Sequence, residues 1–344
     1  MRVPLKGWAV PAMILLVLLA SMAFCTEPGD RGIDTSGQEE TGPADGPVTI
    51  PVTGDSPPPP TEPVRLIFIH HSCGENWLSD WNGGLAIALR DNNYAVSDTN
   101  YGWGPVADNE GTPIGDLTDI GHWWTWFRGP RSDEIMAQVF TESGQHSEYS
   151  RLEPSGGENE IIMFKSCFPN SALQGSPGDP ITSIADNPLK GEASGTEYHT
   201  VANAKGIYRD LREYFREHPE KFFVVVTAPP VGDPTYAANA RAFSTWLVND
   251  WLEGYPYRNV MVFDFYNVLT SNGGNPEVSD VNRNTGNHHR WWNGAVQHVI
   301  QVRRDTAAYA SARDDDHPTA AGTQKATAEF VPLLNHYYRQ WKGG

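Results

Sequence analysis

Four segments of this chain are built on cores of four or five consecutive apolar residues: VRLIFIHHS at 64–72, NEIIMFKSC at 159–167, KFFVVVTAPP at 221–230 and NVMVFDFYNVL at 259–269. A strand with one wet face alternates apolar and polar residues. A run of strand length without that alternation is buried on both faces. Between these runs lie patterns of helical period: GGLAIALRDNN, SDEIMAQVF, TVANAKGIYRDLREYFREH and ARAFSTWLVNDWLEGY. YAVSDTN at 94–100 reads as a weaker strand. The last segment, TAAGTQKATAEFVPLLNHYYRQW, reads as a helix that Pro332 should kink or divide. Strands alternating with helices give a parallel sheet covered on both faces, so the expected class is α/β, a three-layer α/β/α sandwich.

The folded domain is expected over 64–344. Residues 1–25 have a basic start (Arg2, Lys6) and an apolar run shorter than the roughly 20 residues of a membrane span. They read as an export signal. Cys25 closes that signal and resembles the acceptor of a bacterial lipoprotein, with cleavage after Ala23 as the alternative. Residues 26–63, rich in Pro, Gly, Thr and acids, cannot bury enough apolar area to offset their ordering entropy and read as a disordered tether. The expectation is an exported, membrane-anchored lipoprotein, otherwise a secreted one, touching membrane only through its lipid. A net charge of −17 argues against a nucleic-acid partner, which rewards clustered Lys and Arg.

In an open parallel sheet, ligands bind beyond the carboxyl ends of the strands. His70, His71, Ser72 and Cys73 end the first apolar run. Asp98, Asn100 and Gly102 end the weaker strand. Lys165, Ser166, Cys167 and Asn170 end the next, and DDDHPTAAG at 314–322 supplies Asp314 and His317 just before the last helix. A serine hydroxyl needs a base to take its proton, and a histidine can do so near its ordinary pKa. A carboxylate beside the ring holds the tautomer. Taken singly, Asp314 and His317 could merely cap a helix, and Ser72 could be an ordinary strand-end serine. His70 and His71 lack ligand partners at metal spacing, so neither a metal nor another cofactor is expected.

The order of these blocks resembles that of the SGNH (GDSL-type) hydrolases, across almost the whole of the folded part. The first block departs from the family's Gly-Asp-Ser, reading His70-His71-Ser72, and the third reads KSCFPNS instead of Gly-x-Asn-Asp. The resemblance implies a flavodoxin-like sheet and ester hydrolysis by Ser72, His317 and Asp314. It implies an oxyanion site made of the Ser72 and Gly102 N–H groups and the Asn170 side chain, with Asn100 as a rival for the last. Asp315 and Asp316 read as solvated. In a flavodoxin-like strand order Cys73 and Cys167 end neighbouring strands, so they are expected to be disulfide-bonded or side by side. The alternatives are two buried thiols, or a cysteine nucleophile served by His317.

Two insertions on the same edge, 103–132 and 270–313, mix flat aromatics with amides, His and Arg, a composition suited to sugar rings. His71, Asn100, Trp123, Trp124, His289, Trp291 and Trp292 are the expected substrate contacts. The resulting expectation is an exported esterase that removes acetyl or other small acyl groups from carbohydrate. A non-catalytic glycan-binding protein of the same fold and a lipase-like esterase are the alternatives.

Overall fold

A computed structural model of the protein describes residues 56–108, 110–312 and 315–343. The export signal, Cys25, most of the tether and Asp314 lie outside the described residues. In chain order the elements are β1 (Val64–Ile69), α1 (Ser72–Leu78), α2 (Leu85–Asp91), β2 (Tyr94–Thr99), α3 (His122–Phe127) and α4 (Ser132–Thr141). They continue with β3 (Ile161–Lys165), α5 (Val201–Glu217), β4 (Phe222–Val226), α6 (Ala237–Asn249), β5 (Val260–Phe263) and α7 (Phe265–Val268). Two hairpin pairs, β6 (Asn287–Trp292) with β7 (Ala295–Ile300) and β8 (Ala310–Ala312) with β9 (Asp315–Pro318), precede α8 (Ala320–Lys342).

The four apolar runs and the weaker strand form one parallel sheet in the order β2-β1-β3-β4-β5. Every residue in it is buried. Successive side chains of β1 point to opposite faces, as strand geometry requires. Val64, Leu66 and Phe68 join a core with residues of α1, α2 and α8. Ile67 and Ile69 join a second core with residues of α3, α4, α5 and α6. The protein is the expected three-layer α/β/α fold. Trp77 of α1 shows how the first core is held. Its ring stacks on Phe265 (4.7 Å between centroids) while its Nε1–H donates to Thr327 Oγ1 at 2.9 Å, so the large apolar ring is buried without orphaning its one polar atom.

Several elements differ from the sequence expectation. The run at 259–269 stops as a strand at Phe263, because Asp264 turns the chain by accepting the Asn267 N–H and starts α7. Pro332 does not divide the last helix. Its missing N–H breaks one hydrogen bond, but Phe330, Val331, Leu333 and Leu334 around it are all buried, and their burial outweighs a loss of about 3 kcal/mol. The end of the tether is not free either: the Pro57 carbonyl accepts from Asn335 Nδ2 (3.1 Å) and the Pro60 carbonyl from Asn93 Nδ2 (2.8 Å). Among the described residues no helix is long and apolar enough to cross a membrane.

Candidate active site

After β1 the chain makes a sharp turn into α1, and Ser72 is the first residue of that helix. The His71 carbonyl closes the turn by accepting the N–H groups of Gly74 (2.7 Å) and Glu75 (3.2 Å). Beneath it lies a buried frame. His70 Nδ1 meets the His71 carbonyl at 3.0 Å and His70 Nε2 meets Asp98 Oδ2 at 3.1 Å. Asp98 also accepts from Ser147 Oγ (2.6 Å), Tyr149 OH (2.8 Å) and the His146 N–H (2.7 Å). Burial opposes ionisation of Asp98, yet the His70 bond and charge, with the Ser147 and His146 bonds, bring its pKa down to about 2. Gly74 is required because a Cβ there would lie 2.4 Å from His70 Cβ.

The partner of Ser72 arrives from the other end of the chain. His317 Nε2 lies 2.9 Å from Ser72 Oγ. His317 Nδ1 lies 2.6 Å from Asp315 Oδ1, a carboxylate that can only accept, so Nδ1 carries the proton and Nε2 is left to accept the Ser72 hydroxyl. The same carboxylate oxygen accepts the His317 backbone N–H at 2.9 Å. Asp315 and His317 sit two apart on β9, and residues i and i+2 of a strand share a face. The sequence reading expected a turn and chose Asp314, treating Asp315 and Asp316 as solvated. Here Asp315 holds the imidazole, and Asp316, on the opposite face, accepts the Gly232 N–H at 2.7 Å.

Two of the three expected oxyanion donors are committed elsewhere. The Gly102 N–H donates to Asp116 Oδ1 at 2.7 Å, and Gly102 itself is a turn glycine with φ of +75°. Asn170 is buried, and its amide donates to Asp119 Oδ1 (2.6 Å) and to the Cys167 carbonyl (3.3 Å), bracing the third strand's exit loop. The rival Asn100 donates to Glu75 Oε2 (3.1 Å) and Ser147 Oγ (3.2 Å). The Ser72 N–H, at the first position of α1, remains beside the nucleophile.

Cys73 and Cys167 stand side by side as free thiols, 3.2 Å apart at sulfur, and the expected disulfide is not formed. Cys167 Sγ also lies 3.6 Å from Ser72 Oγ. Burial pushes the Cys73 thiol up. The hydrogen bond from Cys73 pulls Cys167 well below the usual thiol range against its burial, helped by the charge of Lys165 and the Cys73 N–H.

Two of the expected sugar contacts, Trp123 and His289, resolve into core, and the three other tryptophans among them are half-buried. Trp123 is fully buried, donating Nε1–H to Ser166 Oγ at 2.8 Å. His289 is buried against Phe263 and accepts the Asp264 N–H at 2.9 Å, and burial depresses its pKa to about 3. Trp124 lies under the Lys190 amine and Trp292 under the Arg290 guanidinium. Trp291 packs on His336, which lies about 24 Å along α8 from the end that adjoins His317. His71 does stand at the site: its Nε2–H donates to the Gly115 carbonyl at 2.6 Å, burial lowers its pKa, and its ring stacks on Tyr101 at 3.9 Å. Tyr101, 53 % exposed, and Phe168, edge-on to His317 at 5.1 Å, were not singled out from the sequence. An aromatic within three residues of each strand end was the available signal for both.

No protein-family model and no curated protein matches the chain. Among solved structures it is similar to a family two carbohydrate esterase from Clostridium thermocellum, determined in complex with cellohexaose. The identity is 13 % over 82 % of this chain and 66 % of that one, with a TM-score of 0.34, so the chain spans just under two thirds of that protein's length. It is also similar to TubZ of the Clostridium botulinum phage c-st, at 15 % identity over 63 % of this chain and 56 % of that one, with a TM-score of 0.27. At such scores neither likeness assigns a role to any residue here.

Proposed function

We propose that the protein is a serine ester hydrolase that removes acetyl or other small acyl groups from carbohydrate. The observation that carries this reading is the relay from Asp315 through His317 to Ser72, with links of 2.6 and 2.9 Å at the carboxyl edge of a parallel sheet. His317 Nε2 takes the Ser72 proton as Oγ attacks the acyl carbonyl. Asp315 steadies the imidazolium that forms, and the Ser72 N–H faces the developing oxyanion. His317 then returns the proton to the departing alcohol, and water releases the acyl group by the same steps in reverse order. Tyr101, 53 % exposed and stacked on His71, the residue before the nucleophile, offers a flat ring for the C–H face of a sugar in place of the tryptophans expected from sequence.

One observation favours the non-catalytic alternative: the Gly102 and Asn170 donors are turned away from Ser72. Another keeps the thiol rival distinct, since Cys167 Sγ is close enough to Ser72 to react in its stead. The test is hydrolysis of p-nitrophenyl acetate and acetylated polysaccharides by the full chain beside Ser72→Ala and Cys167→Ala. Ser72→Ala should lower kcat by at least about a thousandfold. Wild type that hydrolyses no ester but binds glycans, with Ser72→Ala binding equally, overturns the enzyme. Loss of activity in Cys167→Ala with Ser72→Ala active makes the thiol the nucleophile.

A further inference from the structure

Lys165, at the end of β3, is fully buried, and its amine donates to the Ser166 carbonyl at 3.2 Å. Among the described residues no carboxylate lies within ion-pair distance of it. A buried cation needs an anion nearby. The group whose charge it meets is the sulfur of Cys167, two residues on. That sulfur is in contact with Cys73 Sγ, 3.6 Å from Ser72 Oγ, and accepts the Cys73 N–H. Cys73 keeps its own proton, held by burial. A thiol whose anion is favoured and a thiol that holds its proton therefore touch each other beside the serine, with the Lys165 charge and the Cys73 N–H on the side of the anion. This is the arrangement of an attacking and a resolving thiol.

We infer that Cys167 is a site of oxidation by hydroperoxides, that Cys73 resolves it to a disulfide, and that this disulfide speeds hydrolysis at Ser72. The last clause rests on the hydrolase reading above. In the first step the Cys167 thiolate attacks a peroxide oxygen, the O–O bond breaks, and a sulfenic acid and hydroxide (or alkoxide) result. In the second, Cys73 sulfur displaces the sulfenic oxygen, and its proton leaves with that oxygen as water. The two sulfurs need close only from 3.2 Å to bonding distance. The sign of the effect follows from charge. In the reduced form an anionic sulfur occupies the Cys73 N–H and offsets Lys165, next to the place where the reaction must build an oxyanion. Like charges at that separation disfavour the second. The disulfide is neutral, frees the Cys73 N–H, and leaves the Lys165 charge to act on the oxyanion.

The test treats the full chain with hydrogen peroxide, removes it with catalase, and compares acetate release from an acetylated polysaccharide with that of protein reduced and then desalted. Peptide mass spectrometry of the same samples follows the Cys73–Cys167 link independently of activity. The link should form, and kcat should rise by roughly tenfold, below the 10²–10³ that a whole oxyanion donor supplies. Cys167→Ser should show the faster rate in both states, with Cys167→Ala as a second variant should the new hydroxyl bond Ser72. Cys73→Ser should leave a sulfenic acid that dimedone traps and form no link. Absence of the link, or a link with kcat unchanged or lowered, overturns the inference. A link with no hydrolysis in either state overturns the hydrolase reading and the rate effect together, and upholds the oxidation site alone.

Discussion

His317 is held from behind by a carboxylate that is itself half in water: the Asp315 side chain is 47 % exposed and that of His317 is 20 % exposed. Water screens such a pair, so its contribution is orientation more than charge. Asp315→Asn should therefore lower kcat on a small ester by roughly a hundredfold, less than the ~10⁴ found when a buried orienting acid is lost. Asp316→Asn, which removes a charge but keeps an oxygen for the Gly232 N–H, should stay within about threefold of wild type. Equal effects of the two variants would show that neither acid orients the ring. The sequence carried the histidine plainly but not its acid. Three consecutive aspartates are indistinguishable until the backbone is known, and an extended backbone selects the one two residues away while a turn selects the one three away. Tyr101 makes a second prediction at this scale. Tyr101→Ala should raise KM severalfold for acetylated polysaccharide and leave kcat on p-nitrophenyl acetate nearly unchanged, because the ring would act only on remote binding. A matching loss on both substrates would place its effect in the support of His71 instead.

At the scale of elements, the turn between β1 and α1 depends on one missing side chain. With Gly74 replaced by Ala, the new methyl meets His70 at 2.4 Å, and either the helix or the imidazole must move. Overpacking of this kind costs about 1–3 kcal/mol. Urea unfolding of Gly74→Ala should show a loss in that range with an unchanged slope, and a variant as stable as wild type would mean the turn has slack that the geometry does not reveal. Four strands of the central sheet were legible because burial on both faces favours an unbroken apolar run, whereas β2, with Ser97, Asp98 and Thr99 buried at its end, gave the weaker signal. The β6–β7 hairpin was not, although Asn293-Gly294 is a favoured two-residue hairpin turn, with φ of +51° and +79°. Its first strand reads Asn-His-His-Arg-Trp-Trp and yet its first four residues are buried. They can be, because each polar group finds a partner far away in sequence: His288 Nδ1 pairs with Glu329 at 2.7 Å, and Asn287 Nδ2 donates to Thr270 Oγ1 at 2.9 Å. Local pattern cannot show such satisfaction at a distance. The same blindness turned His289 and Trp123 into candidate ligand contacts when they are core.

For the whole molecule, the buried Asp98 frame links stability to pH. Its folded pKa of about 2 lies below its ordinary 3.8, so its contribution is present above pH 3.8 and is lost as pH falls toward 2. The depression corresponds to roughly 2 kcal/mol. Asp98→Asn should lose at least about that much at pH 7 and should flatten the stability profile between pH 4 and 2, both read from urea midpoints across the range. A profile as steep as wild type would move the acid sensitivity to other carboxylates.

The docking of Pro57 and Pro60 has a further consequence. Their partners are Asn93, just before β2, and Asn335, well along α8 from His317, so the chain enters the fold at the rim opposite Ser72. The other end leaves by the same rim: Trp341 Nε1–H donates to the Pro219 carbonyl, a few residues before β4 begins. Pro57 and Trp341 thus mark one rim and the serine the other, separated by the length of a strand, roughly 20 Å. A bead or a surface fastened at that rim would hold the protein by its back, with Ser72 turned outward.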